Sequence, residues 1–450
     1  MTATLTVGSA PGALPLLGHA LALSRRPLDF LKSLPAHGDL VRVKLGPWPA
    51  YVVCHPDLVH QILVEDRTFD KGGPTYDKLR KVTGNGLATC GHRDHRRQRR
   101  LMQPAFQRDR IPGYARVMTE QIAAVTELWH DGQVLDVLAA MNALTMAVVT
   151  RTLFAAEVDE LTFVEMQQCT RDFLAGVARR VVMPWELLDK IPTRSNRRFD
   201  RARNRLRHHT HELITNYRQA GIDHGDLLSM LLAARDDDGQ GLADSEIHDH
   251  VLTFALAGTE TAATTLSWVW HLLGCHPDIQ ARLHNEVDTV LNGRIAEYHD
   301  IPKLELTGRI ITESLRLYPP AWMLTRRTTT DTELAGQHLP AGTIVVFSPY
   351  VVHHRADLYL DPNRYDPDRW RDDSTHRLPR GAFTPSASGA RKCIGDVFAV
   401  TEATLALASI ATRWQLDAIP RARIRPVARF ILAPRSLRMR LRQRGPGGLT

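Results

Sequence analysis

The stretch "EIHDHVLTFALAGTETAATTLSWVWHLLG", residues 246–274, constrains this chain most. It reads as one helix, the longest in the sequence, and its second half is apolar on nearly all sides. A helix without a polar face belongs inside a large core, not on a surface. A helical body must therefore surround it, and helical patterns dominate residues 74–325. β-like runs flank that body: "LVRVKLG" and "PAYVVC" within 35–70, and "PVARFILAPRSLRMRLR" within 420–442. In "TELAGQHLPAGTIVVFSPYVVHH", within 326–360, strands join at a Gly-Pro turn. The fold class expected is mainly α with a smaller β-rich part. No repeat of fixed period and no flexible linker interrupts the 450 residues, which predicts a single domain over 1–450.

Hydrophobic residues make up 43% of the chain, enough for a large core. The formal charge is +8 and the pI about 9.4, which raises the question of a nucleic-acid partner. The arginines are scattered, aromatics are only 6%, and no helix-turn-helix or zinc-finger pattern occurs. No nucleic acid is expected; an acidic protein partner is the other outlet for a basic face. Five widely spaced cysteines do not form a disulfide framework and suit a reducing compartment. Pro11, Gly12, Pro15 and Gly18 break the N-terminal stretch, so neither a signal peptide nor a membrane anchor is expected there. The location expected is cytoplasmic.

Four short segments could carry chemistry. In "TPSASGARKCIGD", 384–396, Cys393 lies between a cationic loop and a helix-like run. A helix start with Arg391 and Lys392 beside it favours a thiolate. Such a thiolate is a nucleophile or a metal ligand; the competing reading is a buried free cysteine packed as a small hydrophobe. In "ESLR", Glu313 and Arg316 share a helix face before Pro319 and Pro320 end the helix. Most such pairs are solvated. In "AGTET", 257–261, Glu260 and Thr261 sit in apolar surroundings, where polar groups need partners or a purpose. Gly258 there can leave space for a small ligand; the alternative is a tolerated threonine and an exposed glutamate. In "HRDHRRQRRLMQPAF", 92–106, His95 and Arg99 share one face, able to hold a dianion, and Arg96 and Arg100 another. An ordinary solvated basic helix is the alternative. Cys90, His92 and His95 have ligand-like spacing, but no fourth zinc ligand follows nearby.

These four segments, in this order, resemble the cytochrome P450 superfamily of haem-thiolate monooxygenases. "SGARKCIG" matches the end of its haem loop, "ESLR" its E-x-x-R helix and "AGTET" its oxygen-activation segment. "YDPDRW", 365–370, matches the region that supplies an arginine, here Arg369, to Glu313 and Arg316. The resemblance implies haem b as cofactor, Cys393 as its axial ligand, and His95, Arg99, Arg326 and Arg391 as partners of its propionates. It implies Glu260 and Thr261 in proton delivery, dioxygen as co-substrate, and electrons from a ferredoxin fed by an NADPH-dependent reductase. One departure stands out: Ser386 replaces the family's usual Phe seven residues before the cysteine, and Ala387 its usual Gly. That change bears on haem retention and redox potential, and keeps a non-catalytic haem-binding protein as an alternative.

Longer stretches, among them "PGALPLLGHALAL", "TFDKGGPTYDKL", "SNRRFD" and "LRLYPPAWMLTRRTTTD", are similar to a bacterial branch that oxidises sesquiterpene hydrocarbons. The substrate this implies is pentalenene, taken at a methyl group to the alcohol and then the aldehyde; another terpene or apolar secondary metabolite is the alternative. Expected lining residues are Phe254, Ala257, Gly258, Trp322, Met323, Leu324, Phe430, Ile431 and Leu432. None carries a charge.

Overall fold

A computed structural model of the chain describes residues 5–46, 48–153, 160–182, 191–221, 223, 225–371, 378–420 and 423–445. The strands are β1 (Val7–Ser9), β2 (Leu40–Leu45), β3 (Trp48–Val53), β4 (Phe69–Asp70), β5 (Val134–Asp136), β6 (Leu324–Thr328) and β7 (Thr332–Leu334). They continue as β8 (Gln337–Leu339), β9 (Ile344–Phe347), β10 (Trp414–Ala418), β11 (Pro426–Ala428), β12 (Leu432–Pro434) and β13 (Arg438–Gln443). Helices make up most of the rest, as expected.

The chain divides into two compact units. The first comprises Met1–Asp77 and Thr312–Cys393. Its centre is a mixed sheet of order β1-β2-β3-β9-β6-β4. β2 alternates as a half-buried strand should: Val41 and Val43 point inward, Arg42 and Lys44 outward. Leu40, Val53, Ile62, Phe69, Val345 and Phe347 form the core beneath it. The helix Pro56–Val64 supplies Ile62. Residues 349–353, read from sequence as strand, instead form the short helix Pro349–His353. The reason is local: the Ser348 hydroxyl accepts the Val351 N–H at 3.2 Å, and Pro349 takes the first helical position, where its missing N–H costs nothing.

The second unit comprises Lys78–Ile311 and Ile394–Thr450. Its axis is the predicted long helix, Asp244–Cys275, which packs against the helices Val137–Leu153, Arg194–Ala220 and Asp396–Arg413. Residues 262–270 are all buried, as their all-round apolarity requires. Trp268 Nε1 donates to the Leu432 carbonyl at 2.8 Å and ties β12 to this helix. The strands β10, β13 and β5 form a small antiparallel sheet.

Candidate active site

In the first unit, Glu313 and Arg316 lie near the end of the helix Glu305–Leu317, both side chains fully buried. The solvated pair that such a motif ordinarily forms is not what this chain builds. Arg316 Nε donates to Glu313 Oε2 at 2.8 Å and Nη2 to Oε1 at 2.7 Å. Its other donors go to the carbonyls of His353 (2.9 Å), Pro362 (2.8 Å) and Arg364 (3.1 Å). All five N–H groups of the guanidinium are thereby used. Glu313 also accepts the Asp366 N–H at 3.1 Å and Trp370 Nε1 at 2.8 Å. Arg369, the partner expected from sequence, reaches Glu313 Oε1 at 3.5 Å, so Trp370 makes the tighter bond.

His353 extends this cluster. Its Nδ1 lies 3.2 Å from the Arg316 carbonyl, and its Nε2 accepts the Thr384 N–H at 3.0 Å. Burial pushes its pKa down to about 3, so the ring is neutral, with one nitrogen donating and one accepting. It connects the E-x-x-R helix to the loop that leads to Cys393.

That loop closes on itself. The Cys393 N–H donates to the Ser386 carbonyl at 2.9 Å and the Ala387 N–H to the Thr384 carbonyl at 3.2 Å. Gly389 has φ +69, and a Cβ there would meet the Leu63 carbonyl oxygen at 2.3 Å, so only glycine fits. Ala387 also has a left-handed backbone, φ +58. A Cβ in that region costs roughly 1 kcal/mol. The Cys393 side chain is exposed, and the helix Asp396–Arg413 starts three residues further on. Arg391 is buried and paired with Asp70 at 2.5 Å and Asp66 at 3.7 Å. Arg326, on β6, is buried over the Phe347 ring, its Nη1 donating to the Thr325 carbonyl at 3.0 Å. Burial lowers its pKa, with Tyr76 opposing that effect. Its Nε has no partner among the described residues.

In the second unit, the long helix presents a narrow accessible stripe. Ala257 is exposed and Gly258, Glu260 and Thr261 are half-buried, between buried Leu256, Thr259 and Ala262. Thr261 Oγ1 donates to the Ala257 carbonyl at 2.6 Å. Desolvation pushes the Glu260 carboxyl up to about 7. Gly258 can leave space for a ligand by its sequence alone, but a Cβ there would lie 2.8 Å from Val149 Cγ2. Glycine at this position lets two helices approach closely. On the helix His92–Met102, His95 is buried and Arg99 half-buried, while Arg96 and Arg100 are exposed, as their spacing predicts. Arg97, not anticipated, bonds Asp236 at 2.8 Å, Glu246 at 2.9 Å and the Gly241 carbonyl at 2.9 Å.

The expected lining residues divide. Met323 and Leu324 in the first unit, and Phe430 and Ile431 in the second, are half-buried. Trp322 is buried, its carbonyl accepting the Ser348 hydroxyl at 2.6 Å. Phe254 packs on the Phe106 ring at 5.4 Å, and Leu432 is fully buried in β12. Cys90 is buried with its thiol 3.7 Å from the Leu87 carbonyl oxygen, and no three potential ligands converge on a metal position among the described residues.

The family model described as Cytochrome P450 matches residues 9–439. The chain belongs to the cytochrome P450 family. Pentalenene oxygenase of Streptomyces avermitilis is 50% identical over 448 residues, 99% of each chain. Cyclooctat-9-en-7-ol 5-monooxygenase of Streptomyces melanosporofaciens is 49% identical over 416 residues, 92% of this chain and 90% of that one. Among solved structures, the crystal structure of a cytochrome P450DA haem domain is 25% identical with a TM-score of 0.88, covering 98% of this chain and 99% of that one. This P450 is accordingly a monooxygenase, and its cofactor is haem b.

The residues present fit that cofactor. Haem carries two carboxylates, and carboxylates inside a fold need cationic donors. Arg326 offers a buried guanidinium with one N–H that no described residue accepts. Trp370, His353 and Glu402 were missed in the sequence. Glu402 is buried in the helix Asp396–Arg413, and neither oxygen has a partner among the described residues. Burial raises its pKa well above the usual carboxylate value. The signal for it was present: a single acid inside the apolar run "VFAVTEATLALASIATR". No comparable signal marked His353, which binds through backbone groups.

Proposed function

We propose that Cys393 supplies the axial thiolate and that this P450 oxidises a compact polycyclic terpene, with pentalenene the first candidate, at a methyl carbon to the alcohol and then the aldehyde. The observation that carries the substrate class is the 50% identity to pentalenene oxygenase over 99% of both chains. Arg326, Arg391, His95 and Arg99 hold the haem propionates. Bound there, the haem supplies reductive activation of dioxygen and insertion of one oxygen atom into a C–H bond. Glu260, with a pKa of about 7, can take up and release a proton near neutrality. Thr261, one residue on, is the hydroxyl that carries the proton further.

Of the residues expected to line the pocket, Ala257, Met323, Leu324, Phe430 and Ile431 stay accessible and offer the substrate no charge, while Phe254, Trp322 and Leu432 are buried and Gly258 is closed by Val149. A polar ligand group left unpaired against such a lining costs roughly 1–3 kcal/mol. A hydrocarbon gains about 25 cal/mol per Å² buried, so shape, not hydrogen bonding, selects it.

Electrons come from an acidic ferredoxin and its NADPH-dependent reductase. Arg96, Arg100 and Lys392 are exposed cations suited to that partner, although Arg100 already pairs with Asp237 within the fold. No described helix is long and apolar enough to cross a membrane, and we place the enzyme in the cytoplasm. A second reading rests on the relative named for cyclooctat-9-en-7-ol, an alcohol, which is almost as similar.

The test is a spin-state titration of the haem-loaded protein with pentalenene, a terpene alcohol, a fatty acid and a macrolide. A low-spin to high-spin shift with pentalenene supports the first reading. A shift with the alcohol alone selects the second. A shift with the fatty acid or macrolide and neither terpene overturns both. The reduced carbonyl spectrum tests Cys393 separately: the red-shifted thiolate band must vanish in Cys393→Ala, and its survival there would refute the ligand assignment.

A further inference from the structure

We propose that an apolar tip on the first unit, made by residues 14–18 with Gly46 and Trp48, docks on an anionic phospholipid bilayer. Four large apolar side chains are exposed together there: Leu14 (45%), Leu16 (92%), Leu17 (52%) and Trp48 (63%). Single exposed leucines are ordinary, but a contiguous apolar group marks an interaction surface.

The tip is built firmly. Leu14 and Gly18 exchange both backbone hydrogen bonds, at 2.9 and 2.8 Å, and the Leu17 N–H donates to the Pro15 carbonyl at 2.6 Å. The Gly46 N–H donates to the Leu17 carbonyl at 3.2 Å, which binds this turn to the end of the β2–β3 hairpin. Gly18 packs so closely on Lys44 that a Cβ would meet the Lys44 carbonyl oxygen at 2.4 Å. At the apex Leu16 has φ +62, a left-handed backbone that a leucine rarely adopts. The turn thus holds its most apolar residue outward in a strained conformation, against both local preference and solvation.

Charge identifies the occupant. Residues 1–28 and 40–56 contain no Asp or Glu. Arg25 and Arg26 follow the tip in sequence, and Arg42 and Lys44 share the outer face of β2; all four are exposed. An apolar apex with a tryptophan, on segments that carry cations and whose nearest acids in sequence are Asp29, Asp39 and Asp57, has the composition of a bilayer-interface anchor. A convex apex enters a fluid headgroup layer without needing a preformed hole, and the cations select anionic lipid. Attachment is peripheral and does not depend on which substrate the haem site takes. If that substrate is a hydrocarbon, it also accumulates in the layer where the enzyme would sit.

The experiment is flotation of the full-length, haem-loaded protein with vesicles of phosphatidylcholine alone or mixed with phosphatidylglycerol. Binding to the mixed vesicles is expected, weakening as salt rises above about 0.1 M, where screening shortens electrostatic reach. The pair Leu16→Ser with Trp48→Ser should lower the bound fraction on the order of tenfold. Leu360→Ser, at an exposed leucine elsewhere in the same unit, should leave it unchanged. The carbonyl spectrum of each variant reports whether the fold survives. Absence of flotation by a protein with an intact spectrum overturns the proposal, as does equal binding to both vesicle types. Loss of a dimer, rather than of lipid binding, in the Leu16/Trp48 variant would assign the tip to a second copy of the chain and likewise overturn it.

Discussion

Two polar regions of this P450 hold acids in opposite ways. Around Glu313 and Arg316 both carboxylate oxygens are bonded and all five guanidinium N–H groups have acceptors. At Glu260 desolvation raises the acid's pKa, and the hydroxyl of the adjacent Thr259 has no partner among the described residues. The first region holds a charge pair in place and leaves no donor over for chemistry. The second holds an acid near the point of ionisation, where a proton can be moved. The first arrangement is architectural, and the second is what the proposed proton delivery through Glu260 requires.

That contrast can be broken most directly at Arg316. Arg316→Ala leaves Glu313 charged and buried, a loss of about 3–5 kcal/mol. The denaturant midpoint reads it, and a loss below about 1 kcal/mol, the worth of an exposed pair, would show the cluster to be incidental. Next comes the choice between Trp370 and Arg369. Trp370→Phe removes a 2.8 Å donor to a carboxylate and should cost about 1.5–3 kcal/mol. Arg369→Ala, removing a contact at 3.5 Å, should cost less in the same melts.

On the functional side, Thr261→Ala should keep haem and substrate binding but lower product formed per NADPH on the order of tenfold, the excess appearing as hydrogen peroxide. An unchanged ratio removes Thr261 from proton delivery. Glu260 adds a pH signature. Its carboxyl is raised from 4.5 to about 7 in the fold, so the folded state holds the proton more tightly than the unfolded one. The stability that goes with this proton is fully present below about pH 4.5 and is lost as pH rises through about 7. Glu260→Gln, uncharged throughout, should flatten that part of the melting-temperature profile. The smallest effect belongs to the cysteine loop: Ala387→Gly relieves the left-handed alanine and should stabilise by about 0.5–1 kcal/mol, strain relief less the entropy glycine loses.

Much of this was legible in the sequence because its signals are local. All-round apolarity placed residues 262–270 in the core, and helical spacing separated His95 and Arg99 from Arg96 and Arg100. The E-x-x-R spacing marked Glu313 and Arg316, which the structure joins in a fully buried pair; Cys393, Glu260 and Thr261 carry the roles proposed for them. What local pattern could not supply was the direction of a side chain or a partner far along the chain. Gly258 was visible as a gap, but only the packing of Val149 shows which neighbour fills it. Phe254, Trp322 and Leu432 are apolar whether they line a cavity or fill a core, and burial alone separates the two.

The sequence by itself therefore determined the helical body and the family. Each is written in periodicity or in residues a few positions apart. The tertiary structure alone decided that Glu313 is held by Trp370 more tightly than by Arg369, that His353 bridges two segments, and that Ala387 carries strain. The Trp370 indole reaches Glu313 from 57 residues away, and the other partners are backbone carbonyls and N–H groups 31 to 48 residues away in sequence. Every residue type carries those groups, so no amino-acid letter announces them, and only the folded path of the chain brings them within hydrogen-bonding distance.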